Sequence, residues 1–369
     1  MFVILTSTAS LSITSNKFFH NDLASLVLAA ALAAFGWLLF TPRHGSLARL
    51  LEDKRFWVGC LVLFAVGDLL RYPIQSRKPN FETAAPALIE PALHLARGHD
   101  PYGVHLGNSV PISPGPGWIV LLMPLTLSGA VMLVTPFVAA MTAAALFVRS
   151  SLAAGVFMAL LLMQPNFLSQ TTVGHDLFAI PIAFSALCLL GESSIGDLRL
   201  IVPLAVVAAS FATSRLPMIV LVLFLCVGLY RRHRRSGVIF AVISIPLTAV
   251  WHVAFYLWAR SDHTYYQPLH LLGRAASTGT EFPLIGLLGG LVVCLWAALR
   301  MRGLASDWML AGALFLVLSF VPEAIGELVA LHGNFAAWEG ANYLSFGDSL
   351  LVAYLALTAA RRDPDLGRS

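Results

Sequence analysis

Charge-free apolar runs recur along this chain at lengths that constrain its fold more than any single motif does. Between Arg235 and Arg260 there is no Asp, Glu, Lys or Arg, and the same is true between Arg199 and Arg215, Arg215 and Arg231, and Glu281 and Arg300. A helix needs roughly 17 to 25 apolar residues to cross a hydrocarbon layer about 30 Å thick. In lipid the backbone has no water to bond to, which leaves helices and closed barrels as the only spanning structures. The runs lack the period-two alternation of barrel strands, so an all-α polytopic membrane protein is expected. Composition agrees: 58% of the 369 residues are hydrophobic and 11% charged, too apolar for a water-soluble domain.

The length rule predicts about eleven crossings, at 23–40, 56–70, 130–148, 152–164, 177–190, 200–212, 217–229, 238–258, 284–299, 309–321 and 343–358. The short apolar piece 118–127 reads as a half-embedded helix. The polar leader 7–21 is followed by no small-residue cleavage site, so the first span reads as retained. With the N-terminus outside, the inner loops collect Arg43, Arg49, Lys54, Arg55, Arg149, Arg199, the run Arg231, Arg232, Arg234 and Arg235, then Arg300, Arg302, Arg361, Arg362 and Arg368. Lys17, Arg71, Arg77, Lys78, Arg97, Arg215, Arg260 and Arg274 fall outside. This bias follows the positive-inside rule. It places a large first external loop, 71–117, on the outer face together with 166–176, 260–282 and 323–341.

The net charge of +4 is accounted for by anionic inner-leaflet lipid, with no nucleic acid as partner. Cys60, Cys188, Cys226 and Cys294 all fall in apolar spans at no metal-like spacing and read as packing residues. No phosphate-binding loop, dinucleotide glycine pattern or HExxH occurs, so nucleotide-driven pumping has no support in the sequence. What is left is a set of ionisable residues near span ends: Asp68, His175, Asp176, Arg215, His252, Glu323, Glu327 and Asp348. A charge deep in a membrane costs roughly 2.5 to 3.5 kcal/mol on insertion scales, so such groups face a cavity or a partner.

Four segments taken together resemble a known family. EPALHLARGHDPYGV resembles the Asp-Pro-Tyr segment in the first external loop of GT-C polytopic glycosyltransferases, especially the family 87 type that uses polyprenol-phosphate-mannose. PISPGPGWIVLLMPLTL is similar to the Pro-Gly-Pro stretch leading into a short apolar helix, and QPNFLSQTTVGHDLFAIPIAF to a turn between short spans. SRLPMIVLVLFLCVGLYRRHRR resembles a helix that opens with a Lys-x-x-Pro pattern and closes on a basic inner end. The resemblance covers 68–235 as a GT-C-like module within a single integral membrane domain, 1–369; the helices of 236–369 would form an acceptor or donor groove. There are departures. Counting fourteen positions back from Gly98 reaches Ala84, where the family has its acid; Glu82 is offset by two, while Glu90 and Asp68 fit other placements seen in relatives. His175 stands where Gln is common and Arg215 where Lys is common.

The resemblance implies a membrane glycosyltransferase acting at the outer face of the cell membrane. On that face no nucleotide sugar is available, so a hexose, such as mannose, or a pentose would arrive on a polyprenyl phosphate that the membrane retains. The acceptor, a lipid, glycan or protein, would be deprotonated by a carboxylate general base: Glu82, Glu90 or Asp68. The departing phosphate would be held by Arg215, His175, Asp176, Arg97 or Arg274. No metal ligand set is assigned, and His94, His99 and His105 mix helix and loop spacing; a divalent cation at Glu82 or Glu90 stays an open alternative. Each residue also has a structural reading. Glu82 and Glu90 suit the first turn of a helix, Asp68 a pairing with Arg71 or Tyr72, and Asp100 a side-chain-initiated turn. His175 and Asp176 suit a helix cap, and Arg215 a snorkelling cation. Two other functions stay open: a proton-coupled secondary transporter, although no internal repeat is visible, and a non-catalytic GT-C-like scaffold.

Overall fold

The computed structural model describes residues 45–77, 85–104, 106, 112–259, 281–332 and 346–361. Regular structure among them is entirely helical. The expected span 23–40 lies outside the described residues. A short α1 (Gly45–Glu52) leads into α2 (Lys54–Gln75), and the loop region carries α3 (Pro86–Ala96) and α4 (Pro116–Leu127). Then follow α5 (Val134–Phe147), α6 (Ser151–Leu162), α7 (Pro165–Thr171), α8 (Ala179–Ser193), α9 (Leu198–Ala212) and α10 (Met218–Arg232). The chain closes with α11 (Arg234–Ala259), α12 (Glu281–Arg300), α13 (Ala305–Ala330) and α14 (Asp348–Arg361).

Proline begins α3, α4 and α7, where its missing N–H is no loss. Glycine ends several helices. Gly98 adopts φ 75°, its N–H bonds Leu95 O, and His99 N–H bonds His94 O, which is a Schellman turn. After α4 the chain turns at Gly129 and folds back, so that α4 and the helical stretch from Val131 to Phe147 are bent by 118°.

Among the described residues four helices, α2, α11, α12 and α13, are long and apolar enough to cross a membrane; a fifth crossing is available if α4 and its bent continuation count as one. The other expected spans coincide with α5, α6, α8, α9, α10 and α14, but these have 12 to 15 residues. At 1.5 Å per residue they reach only about 18 to 22 Å. Eleven full-length crossings are therefore not what the described residues present. The reason is local: Gly, Pro and polar turns interrupt the apolar sequence before a helix reaches span length.

The core is built around α8, buried along most of its length against α5, α9, α13 and α14. Small residues let backbones approach, as in other membrane bundles. Gly228 of α10 sits against the Trp308 indole of α13, and Gly286 and Gly290 of α12 sit against Ser319. The outward faces of α2, α11 and α12 expose Leu63, Leu70, Val242 and Leu299, apolar surface of the kind a lipid tail covers.

Two polar regions lie at opposite ends of the bundle. At one, Glu192 near the end of α8 pairs with Arg149 and with Arg232 at 3.1 Å, while Arg231 donates to Met301 O at 2.7 Å and to Ala298 O. At the other, Asp176 before α8 meets Arg215 before α10. Since α8 and α10 both run from the second region to the first, they are parallel.

Candidate functional site

Asp176 organises the second region. Its turn exists because Gly174, at φ 71°, closes α7 by the same Schellman pattern: Gly174 N–H to Thr171 O and His175 N–H to Gln170 O. A side chain at 174 would also strike Ala85, its Cβ only 2.9 Å from that of Ala85, with Tyr72 close behind. The glycine thus seats the turn against the start of α3 and the end of α2.

From this turn the Asp176 carboxylate, buried in the structure, accepts two strong donors. Trp118 Nε1–H donates to Oδ2 at 2.8 Å, and Arg215 Nη2 donates to Oδ1 at 2.9 Å. Burial alone would raise the carboxyl's pKa; the Arg215 guanidinium, the neighbouring His175 and the Trp118 indole together outweigh it and hold the group well below the ordinary carboxylate range. His175 stands 3.6 Å from Oδ1, but its Nδ1 accepts the Leu177 N–H at 3.0 Å. Its ring proton therefore belongs on Nε2. Arg215 Nη1 donates to Ser214 O at 2.6 Å, so the guanidinium is fixed from two sides.

The first turn of α4 fits against the same place. Trp118 N–H donates to Thr213 Oγ1 at 3.0 Å, and that hydroxyl donates on to Ser210 O at 2.8 Å. Gly117 lies so close to α9 that an added Cβ would be 2.8 Å from Ser210 Cα. The N-terminal ends of α4, α8 and α10 thus converge on one buried carboxylate and one arginine. Each N-terminus carries about half a positive charge, so this end of the bundle favours anions.

Asp68 of α2 is buried nearby in sequence contact with α7. Its Oδ1 lies 3.2 Å from Thr171 Oγ1, and that hydroxyl lies 3.3 Å from Leu168 O; Oδ2 has no partner among the described residues. The Thr171 hydroxyl donates to the Asp68 carboxyl and lies within reach of Leu168 O as well.

The remaining expected residues are placed differently. Glu90 and Arg97 lie seven residues apart on α3 and its cap, sharing a face with His94 and opposite the buried Leu88 and Ala92. Arg97 is exposed and Glu90 half-buried. Asp100 Oδ1 accepts the Tyr102 N–H at 2.9 Å, the side-chain-initiated turn its sequence suggested, and Tyr102 O–H donates to Pro114 O at 3.1 Å. Glu82, His105 and Arg274 lie outside the described residues. Glu323 and Glu327 are on α13, His252 is on α11, and Asp348 opens α14 fully buried. Among the described residues no group of three His, Cys, Asp or Glu side chains is placed to hold a metal ion.

Trp118, Thr171 and Thr213 are contributors that sequence reasoning passes over, as is the buried Gln164 near them in the chain. Gln164 is buried ahead of α7 with neither amide atom bonded among the described residues. Of the four, only Trp118 carried a signal, standing directly after Pro-Gly-Pro-Gly at the head of an apolar helix. Comparison with family models, with curated proteins and with solved structures found no match to this chain.

Proposed function

We propose that this protein is a GT-C-type membrane glycosyltransferase that moves a sugar from a polyprenyl-phosphate donor to a lipid, glycan or protein hydroxyl. The observation that supports the reading is the convergence at Asp176. Three of the four segments that carry the family resemblance, those of Trp118, of His175 and Asp176, and of Arg215, touch one another there. The fourth reaches the same end through Tyr102 and Pro114.

In this reading Arg215 and the three helix N-termini receive the donor phosphate, and Asp176 positions the guanidinium rather than reacting. His175, with its proton on Nε2, is a second donor to phosphate. The acceptor oxygen attacks the anomeric carbon as the bond from that carbon to the phosphate oxygen breaks. The acceptor's proton passes to a carboxylate, Glu82 or Glu90, and polyprenyl phosphate leaves with the bonding pair, inverting the anomeric centre. Asp68, buried and held by the Thr171 hydroxyl, is the third candidate base. The orientation that goes with this puts the Arg149, Arg231 and Arg232 end inside, as the positive-inside rule asks, and the Asp176 end outside. The shorter helices complete the crossings within the bundle.

The test is transfer of labelled sugar from polyprenyl-phosphate donors to candidate acceptors by the purified protein, alongside Glu82→Gln, Glu90→Gln and Arg215→Ala. Loss of transfer in Arg215→Ala and in one glutamine variant is expected. Wild-type rates in both glutamine variants would reject both bases. A second reading, proton-coupled transport, is favoured by one observation, the Asp68 to Thr171 arrangement. Substrate flux into proteoliposomes driven by a pH gradient, with no sugar transfer, would establish it instead.

A further inference from the structure

At the opposite end of the bundle from Asp176, α10 and α11 form a tight hairpin joined by His233 alone. Gly237 comes so near α10 that an added Cβ would lie 2.2 Å from the Tyr230 backbone. Where the two helices meet, a cleft of about 290 Å³ opens, its lining including Cys226, Tyr230, Gly237, Val238, Ala241 and Val242. Tyr230, Val238 and Val242 are exposed along it, so the cleft faces outward from the bundle.

Four arginines surround the hairpin, and their tasks differ. Arg231 is taken up by the carbonyls of Ala298 and Met301, and Arg232 by Glu192. Arg234 and Arg235 are exposed, and among the described residues neither has an ion-pair partner. The Arg234 guanidinium lies 5.7 Å above the Tyr230 ring, a wall of the cleft. Apolar groove and positive charge are therefore continuous. A water-soluble anion would leave the groove empty, and a neutral lipid would leave the charge unanswered.

We propose that this cleft is a binding site for an anionic diacyl phospholipid, with an acyl chain against Ala241 and Gly237 and the headgroup phosphate on Arg234 and Arg235. From Gly237 to Val242 the groove runs about 7 to 8 Å along α11, half of a leaflet's hydrocarbon depth. It holds the headgroup-proximal part of one chain. The site is independent of the transferase reading and lies at the other end of the same helices.

Native mass spectrometry of the full chain, released from detergent with added phosphatidylglycerol or phosphatidylcholine, tests this. Wild type is expected to retain phosphatidylglycerol in preference, and raised ionic strength to erode the preference. Arg234→Ala with Arg235→Ala should lower phosphatidylglycerol retention roughly 30-fold, the factor two interfacial cations supply, and the double Lys variant should keep it. Ala241→Phe, which fills the groove, should reduce retention of both lipids. Equal retention of the two lipids by wild type, a preference indifferent to salt, or full retention by the double Ala or Ala241→Phe variant would each overturn the proposal.

Discussion

Replacing Asp176 tests whether the convergence of three helix ends is held by one carboxylate. In Asp176→Ala, Arg215 and the Trp118 indole lose their acceptor while both stay largely enclosed; the Arg215 side chain is 17% exposed. Removing one partner of a buried pair costs about 3 to 5 kcal/mol. The partial exposure of Arg215 lets water reach part of its charge, which points to the lower end, about 3 kcal/mol. Trp118→Phe removes a single hydrogen bond to a charged acceptor, about 1.5 to 3 kcal/mol, and leaves the ion pair in place. Arg215→Met strands the carboxylate and should cost about as much as Asp176→Ala. The double variant Asp176→Ala with Arg215→Met strands no charge and should be more stable than the sum of the singles predicts, by about 1 to 3 kcal/mol. Equilibrium unfolding in mixed micelles, followed by tryptophan fluorescence, gives the four stabilities needed. Additivity to within about 0.5 kcal/mol, or an Asp176→Ala variant as stable as wild type, would refute the argument.

The same pair makes a pH prediction. The Asp176 carboxyl is depressed in the folded protein, so its contribution is fully present above its unfolded value, about 3.9, and lost as pH falls through the folded value. Stability should change little on this account from pH 7 to about 4 and fall below that, and Asp176→Asn should remove that acid limb in a melting-temperature profile. Asp68→Ala takes a buried acceptor from the Thr171 hydroxyl and should cost about 1 to 3 kcal/mol; an unchanged thermal melt would contradict that contact. At the α10 to α13 contact, a Cβ on Gly228 would stand 1.7 Å from Trp308 Nε1. Gly228→Ala should destabilise by 1 to 3 kcal/mol or more, read by the same unfolding assay.

Helix positions were legible in the sequence because lipid leaves the backbone only one economical answer, and α9, α10, α11 and α12 lie where charge-free runs begin and end. Helix lengths were less legible. Hydropathy marks where a helix is apolar but does not register Gly129 or Gly174, where φ turns positive and the chain leaves its axis. The four-residue spacing of Gly286 and Gly290, which the reading of the sequence passed over, coincides with a close helix contact at Ser319.

The tripeptide Gly-His-Asp is the clearest lesson about the site. It occurs at 98–100 and at 174–176, and both copies close a helix with the same Schellman bonds. Local sequence therefore determined the same local fold twice. In one copy the aspartate turns back to its own backbone at Tyr102; in the other it reaches Trp118 and Arg215, 58 and 39 residues away in the chain. Which copy would become the junction depended on what α4 and α10 bring to it. No window of a dozen residues contains that information.

The pairing of α8 with α10 at both of their ends has a mechanical consequence. Asp176 holds Arg215 at 2.9 Å at one end, and Glu192 holds Arg232 at 3.1 Å at the other. Sliding either helix along its axis by a full turn, about 5.4 Å, would draw both pairs apart to about 6 Å. The two helices therefore behave as one strut. Piston-like motion between them is suppressed, and any opening of the bundle during a working cycle has to come from elements hinged around that strut.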